Sequence, residues 1–381
     1  MRGKRLSFVS VGILFEVVKN FSMVLRAAVV GCGRIGCGFD DESLRKTIST
    51  HAGAYHKNEK TELIALCDID EQKLEKYGKK FSVNNLFTNI DEMIQKVNPE
   101  IVSICTLPEE HAQMVIKTSN AGVKGIFCEK PIADSLENAK KIIDVCKKNG
   151  TVILIDHQRR FDHLNSLIKK LLENNQLGKI FHSTFYYTAG IHNTGTHIID
   201  LMRYFFGDIE WVSGYKSEVS HSNKNDPNIF GILKFRNGPM CYVKPSDVSD
   251  YLIFEGVILC SKGRIRLLSS GFEVEYYTVT NSKYFSGYKE LEKDDFPYNI
   301  PKEKELISNG VNHLIDCVQN GIKPISTASD GLRVLEAILG LINTSVIFTL
   351  PGSITFSCAL KRATLGSSGT YDVLTTSSLL I

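Results

Sequence analysis

Lys130 stands between Glu129 and Pro131 at the end of an apolar run, Gly125-Ile126-Phe127-Cys128. Such a run reads as a buried parallel strand. In open α/β sheets ligands collect outside the carboxyl ends of the strands, so Lys130 is expected to project into a ligand crevice. Pro131 biases Lys130 toward extended backbone and thereby fixes how its side chain is aimed. In isolation, a Glu-Lys pair before a proline also fits a solvated turn. What decides between the two is the company this stretch keeps.

A second group lies at Asn193-Thr194-Gly195-Thr196-His197-Ile198-Ile199-Asp200, which is expected to open a short helix over 196–206. His197 and Asp200 are i and i+3 and share one face. Asn193, four residues before His197, presents on the same side. Ile198, Leu201, Met202 and Phe205 form the opposite, buried face. An imidazole in the first turn feels the positive end of the helix dipole, which lowers its pKa. A neutral imidazole is what a general base requires. A His held there by packing or capping is the alternative. The acid sits at i+3 and no third ligand accompanies it, so no metal site is predicted.

Leu25 to Val30 reads as a buried strand, and Gly31-Cys32-Gly33-Arg34-Ile35-Gly36 follows at once. In this G-x-G-x-x-G, Gly31 permits a tight turn, Gly33 lets the backbone approach a pyrophosphate, and Gly36 lets a helix pack close to the strand. Arg34 and Ile35 belong to the same turn. The next strand, Glu62–Cys67, ends at Asp68. That carboxylate can accept from both ribose hydroxyls and would repel a 2′-phosphate, so NAD is predicted over NADP. Asp68 lies further along the chain than the roughly 20 residues expected after the turn. The polar stretch from Gly38 to Ser49, with Asp40, Asp41 and Glu42, accounts for the excess. It reads as an insertion before a helix starting near His51, placed to overhang cofactor or substrate.

These groups need a scaffold, and the pattern supplies one. Helices are expected at 71–80, 91–97 and 109–121, the last carrying His111 after a Thr106-Leu107-Pro108 loop. Strands are expected at 100–105, 125–128 and 151–155. Asp134 and Glu137 form a capping-box pattern for a helix that stops at Gly150. Strand–helix alternation from 25 to 155 specifies a doubly wound parallel sheet. Beyond it, Gln158-Arg159-Arg160-Phe161 leads into an amphipathic helix. Strands then dominate, near 180–187, 211–216, 229–235, 240–244, 252–260, 264–268 and 273–278. Helices at 304–320 and 330–344 close the unit. The fold class is therefore α/β plus α+β: a Rossmann domain over 23–155 and an α+β domain over 156–347, built on a large, mostly antiparallel open sheet. Residues 348–381 show no clear period.

The chain has 381 residues, 43% hydrophobic and 23% charged, with a net charge of +3. These values are ordinary for a soluble globular protein and give no reason to expect nucleic acid or membrane as partner. Ten cysteines without a C-x-x-C pair argue against a disulfide framework and for a reducing cytoplasm. Residues 1–22 read as a non-native or flexible extension, with the start at Met23. A basic Met1–Arg5 before an apolar Leu6–Val18 faintly resembles a secretory signal, but Glu16 interrupts the run.

Together these residues resemble the glucose–fructose oxidoreductase / inositol dehydrogenase (Gfo/Idh/MocA) family over about residues 25–345. The marks are Gly31–Gly36, Asp68, Thr106-Leu107-Pro108 with His111, Glu129-Lys130-Pro131, Arg159-Arg160-Phe161, and Gly195-Thr196-His197 with Asp200. The resemblance implies an NAD-dependent oxidoreductase moving a hydride between nicotinamide and a secondary alcohol of a sugar, polyol or nucleotide sugar. It implies that Lys130 and His197 flank the reacting carbon, His197 taking the proton and Lys130 stabilising alkoxide character. Cofactor contacts are implied for Gly31, Gly33, Arg34, Ile35, Gly36, Asp68, Thr106, Leu107, Pro108, His111, Glu129 and Lys130. Substrate contacts are implied for Arg160, Asn193, His197 and Asp200, with Arg159 as the alternative to Arg160. Family members often carry Asp where this chain has Asn193; no carboxylate relay is implied here, and Asn193 is left to hydrogen-bond substrate or His197. A homo-oligomer, dimer or tetramer, is implied as well. Two other functions stay open: a non-redox enzyme using tightly bound NAD for transient oxidation, and a catalytically silent NAD-binding regulator. Intact Lys130 and His197 argue against the second.

Overall fold

The computed structural model describes residues 24–218, 226–302 and 304–344, together with the backbone of 362–365 and 371–374. The extension at 1–22 and most of the tail lie outside the described residues. Strands β1 (Leu25–Val30), β2 (Thr61–Cys67), β3 (Asn85–Phe87), β4 (Ile101–Ile104), β5 (Gly125–Cys128) and β6 (Val152–Ile155) form one parallel sheet in the order β3-β2-β1-β4-β5-β6. β4 and β5 are buried at every position, as expected of strands covered by helices on both faces. The strand order reverses between β1 and β4. The turns after β1, β2, β4 and β5 therefore converge on one crevice.

The helices of this layer are α1 (His51–Lys57), α2 (Glu71–Phe81), α3 (Ile90–Val97), α4 (Pro108–Asn120) and α5 (Leu136–Asn149). The expected capping box of α5 does not form. Ser135 is the cap, accepting from the Asn138 amide at 3.2 Å, while Asp134 accepts from the Asn138 side chain at 2.8 Å. A one-residue offset in the first turn separates the two arrangements. Between the glycine turn and α1 the chain makes short helical turns at Arg34–Gly38 and Phe39–Asp41. Asp40 then closes the insertion, accepting from the Ser49 amide at 2.7 Å and from the Thr50 hydroxyl. Thr47 donates to the Lys304 carbonyl at 3.1 Å, so the insertion also rests on the chain leading into the later helices.

The second layer contains α6 (His163–Glu173), β7 (Ile180–Tyr187), α7 (Thr196–Phe206), β8 (Ile209–Lys216), β9 (Ile229–Phe235), β10 (Met240–Pro245), β11 (Phe254–Cys260), β12 (Gly263–Leu268), β13 (Glu273–Asn281) and β14 (Lys289–Asp294). With β15 (Arg362–Leu365) and β16 (Tyr371–Leu374) they order as β14-β13-β12-β11-β7-β10-β9-β8-β15-β16, antiparallel except for β7 beside β10. Burial alternates along β11 and β12, so one face meets the helices and the other stays open. β3 and β14 have no counterpart in the sequence reading. The first is three residues long, and the second, Lys289-Glu290-Leu291-Glu292-Lys293-Asp294, is nearly all charged and exposed.

The final helices do not simply close the second domain. In α8 (Leu306–Asn320), Ile307, Val311, Leu314 and Ile315 join the core of the first sheet. α9 (Ala328–Asn343) is shared: Ala328 and Leu335 pack into the first layer, Val334, Ile338 and Leu341 into the second. No helix among the described residues is long and apolar enough to cross a membrane.

Candidate functional site

At the cofactor end, Gly31 has φ +96°, and a Cβ there would strike the Cys105 carbonyl of the turn after β4. Gly36 is equally constrained, since a Cβ would fall on the Gly31 carbonyl. Gly33 differs: a Cβ there would meet nothing within 4 Å, which leaves room for a pyrophosphate against its backbone. Asp68 accepts from the Cys32 amide at 2.6 Å and the Asp70 amide at 2.9 Å. Each carboxylate oxygen keeps a lone pair for a ribose hydroxyl. The Thr106 hydroxyl is buried without a partner, and Leu107 is 71% exposed beside it. This crevice fits NAD. Arg34 and His111 stand differently from expectation. Arg34 is exposed, paired with Glu42 at 2.8 Å and stacked on Phe39. His111 is fully buried, its ring nitrogens 2.8 Å from the Pro131 carbonyl and 3.1 Å from the Thr106 carbonyl. It ties two site loops together rather than facing the crevice.

Beneath Lys130 lies a buried polar cluster that the sequence reading lacks. His51 Nε2 is 3.2 Å from Glu129 and 3.5 Å from Asp156, and Nδ1 is 2.9 Å from the Ser103 hydroxyl, which donates to Tyr55. Glu129 also accepts from the Lys130 amide at 3.2 Å. Burial, and then the Glu129 charge, push the Asp156 carboxyl up to about 7. Burial acts on Glu129 in the same direction, yet His51, Asp156 and Lys130 hold its carboxyl below the ordinary range. Glu129 is thus engaged inside the fold. One ligand atom each from His51, Glu129 and Asp156 lie within 4.8 Å of one another, a donor set that could hold a cation.

Lys130 meets the second constellation directly. Its ammonium donates to the Asn193 carbonyl at 3.1 Å and to the Asn193 side-chain oxygen at 3.3 Å. Burial lowers its pKa, while Glu129, Asp226 and Asp156 act to keep it charged. Asn193 belongs to a π-helical turn, Gly190–Gly195, that runs into α7. The helix dipole therefore begins a turn earlier than expected, and Asp226 caps it, accepting from the His192 amide at 2.8 Å and the Asn193 amide at 3.0 Å. His197 is kept neutral chiefly by burial, and then by the charges of Lys130, Arg159 and His157. Its Nδ1 is buried without a partner.

Arg160 and Asp200 are bound to each other instead of to the crevice. Arg160 Nη2 and Nε donate to Asp200 at 2.7–3.0 Å, Nη1 donates to the Ile325 carbonyl at 2.8 Å, and Nη2 also reaches Asp330 at 3.2 Å. Asp200 is fully buried and also 3.2 Å from His157. The shared face with His197 was the wrong guide, because the buried side of α7 turns Asp200 toward Arg160. His51, Asp156 and Asp226 were missed. Each is a single residue with no motif spacing, and only the fold brings it to the site.

Residues 25–157 match the family described as "Oxidoreductase family, NAD-binding Rossmann fold", and residues 188–266 match "GFO/IDH/MocA C-terminal domain". The chain is 23% identical to the D-apiose dehydrogenase of Paraburkholderia graminis, over 80% of this chain and 84% of that protein. It is 26% identical to the myo-inositol 2-dehydrogenase of Thermotoga maritima, over 82% and 93% respectively. Among solved structures, the WlbA dehydrogenase of Bordetella pertussis, in complex with NADH and UDP-GlcNAcA, superposes with a TM-score of 0.67 at 19% identity, covering 84% of this chain and 96% of that one. With a glycine turn, an acid after β2 and a lysine after β5 on one crevice, this chain belongs to the Gfo/Idh/MocA oxidoreductase family.

Proposed function

We propose that the chain is an NAD-dependent dehydrogenase acting on a secondary alcohol of a sugar, polyol or nucleotide sugar. One observation carries the assignment of residues: Lys130 donates to Asn193, one turn before His197, so an ammonium and a neutral imidazole share one site at the end of β5. When bound, NAD supplies the hydride acceptor or donor. The chain's own residues handle the proton and the charge. A ring nitrogen of His197 takes the hydroxyl proton, and Lys130 stabilises negative charge developing on that oxygen. Positioned acid–base help of this kind contributes about 10²–10⁴-fold, and stabilisation of developing charge in a site closed to water is commonly larger. Asn193 holds Lys130, and Gly31, Gly33, Gly36, Asp68 and Thr106 line the cofactor crevice.

A cytoplasmic homo-oligomer belongs to the same reading. Nine cysteines among the described residues are free and buried, which suits a reducing compartment. The open face of the large sheet exposes Tyr215, Phe230 and Met240 on adjacent strands, an apolar patch suited to a second copy. NADH formation across a panel of sugars, polyols and nucleotide sugars tests the function, with Lys130→Ala and His197→Ala alongside. Turnover that collapses in both variants is expected. Tight NAD binding with no NADH from any substrate would overturn simple dehydrogenase chemistry.

A further inference from the structure

Among the described residues, Arg159 is a cation of this site whose charge is only partly compensated. Its guanidinium lies beside two rings, 4.3 Å from the centre of Phe254 and 5.2 Å from that of Phe272. Its Nη1 is shut off from solvent and has no hydrogen-bond partner. Among the described residues the one carboxylate that acts on it is Asp162. Asp162 is already committed: it caps α6 at the Leu164 amide and pairs with Lys304 at 3.2 Å. Lys130, by contrast, has Glu129 and Asp226 as counter-charges within the fold, and Arg160 has Asp200 and Asp330.

The surroundings of Arg159 hold it in place without neutralising it. Gly271, at φ +78°, lets a loop pass so close that a Cβ there would lie 3.3 Å from Nη1. The preceding Ser269 and Ser270 also have positive φ, 52° and 59°, conformations that non-glycine residues seldom adopt. The guanidinium is thus held against aromatic rings, with Nη1 free of partners in a desolvated place. An unpaired buried cation is costly, and a guanidinium matches a carboxylate with two parallel hydrogen bonds. The Arg159 charge also helps keep the His197 imidazole neutral.

We propose that Arg159 binds a carboxylate of the substrate, and that the alcohol oxidised here belongs to a sugar acid. This rests on the dehydrogenase reading above and narrows its substrate class. Oxidation at a carbon flanked by His197 and Lys130 would then proceed with the substrate anchored at its carboxylate by Arg159, the chain's neutral His197 remaining free to take the hydroxyl proton.

The test compares matched pairs on the full chain with NAD: glucose against glucuronate, galactose against galacturonate, UDP-glucose against UDP-glucuronate. For at least one pair the acid should exceed its neutral partner in kcat/KM by about 100-fold or more, because a site built to bond a group rejects the analogue lacking it. Arg159→Gln should erase that preference, and Arg159→Lys should restore part of it. Equal turnover of acid and neutral partners by the wild type, or a preference for a hexose phosphate over the uronic acid, overturns the proposal and leaves the dehydrogenase reading standing. Where no compound gives NADH, the dehydrogenase reading falls, and thermal shifts with NAD present still decide the role of Arg159. The acids should raise the unfolding temperature of the wild type more than their neutral partners do. If they do not, the carboxylate assignment is wrong; this comparison needs no variant and survives a failure of Arg159→Gln to fold.

Discussion

Asp156 closes β6 with its carboxylate fully buried, beside Glu129 and His51. Two carboxylates so close cannot both stay ionised without a cation between them, and His51 is the group so placed. Burial alone would discharge the imidazole, but Cys105, Asp156 and Glu129 around it hold its pKa well above the ordinary 6.5. The Asp156 carboxyl is itself raised from 3.8 to about 7. A raised pKa means the folded state binds the proton more tightly than the unfolded chain. The stability this gives is complete below the unfolded value and is lost as pH rises through the folded one. Wild-type protein should therefore lose stability from about pH 4 to about pH 7 on account of Asp156, with the His51 contribution lost at higher pH. Asp156→Asn should flatten that decline in a series of thermal unfolding midpoints, and a decline as steep as wild type would refute this account. At this scale the sequence is legible only where a motif gives a residue its context. Lys130 is readable because a strand ends just before it. Asp156 also follows a strand, but it has no partner within a few residues; its partners come from α1 and β5.

Asp226 shows the same limit for an element. From sequence, α7 begins at Thr196 and Asn193 precedes it. In the structure a π-helical turn extends the helix back to Gly190, and its His192 and Asn193 amides are satisfied by Asp226 from the far side of a long excursion. Gly190, at φ +86°, is required there, because a Cβ would overlap the Asp226 carboxylate. Helical period and the Gly207 stop made the body of α7 legible. A cap supplied from more than thirty residues away leaves no local signal. Asp226 is a positioning residue: it sets the turn whose Asn193 holds Lys130, and its charge helps keep that ammonium protonated. Asp226→Asn retains one acceptor and turns an amide donor toward a backbone donor. The expected loss in kcat is on the order of 10²-fold, as for a misplacement of about 1 Å, with NAD affinity retained. The alkaline limb of kcat/KM should also move to lower pH, since Lys130 loses a counter-charge. A purely structural role would leave that limb in place, so an unmoved limb would rule out the electrostatic part of the argument.

At the scale of the whole molecule, the two sheets are held to one another by α9. Strand–helix alternation made the parallel sheet legible, and the change to antiparallel strands marked the larger sheet. What the pattern could not show is that a helix at the end of the chain returns to the first sheet, because an apolar stripe does not state which core it enters. α9 enters both: Leu335 packs into one core, Val334 and Leu341 into the other. Gly331 sits where it crosses, and a Cβ there would come 2.9 Å from Ile132 and 3.1 Å from Ile155. Ile132 follows the Lys130–Pro131 bond, and Ile155 precedes Asp156, so the crossing lies directly behind the site. Gly331→Val should cost about 1–3 kcal/mol through overpacking. Because the helix is common to both cores, the wild type should unfold in a single calorimetric transition. The variant should lower that transition without splitting it, and should reduce kcat more than NAD affinity, since the wedge presses on the strand ends that carry Lys130 and not on the glycine turn. If the variant instead separates two transitions with activity intact, the cores are independent, and the position of Lys130 does not depend on how α9 joins them.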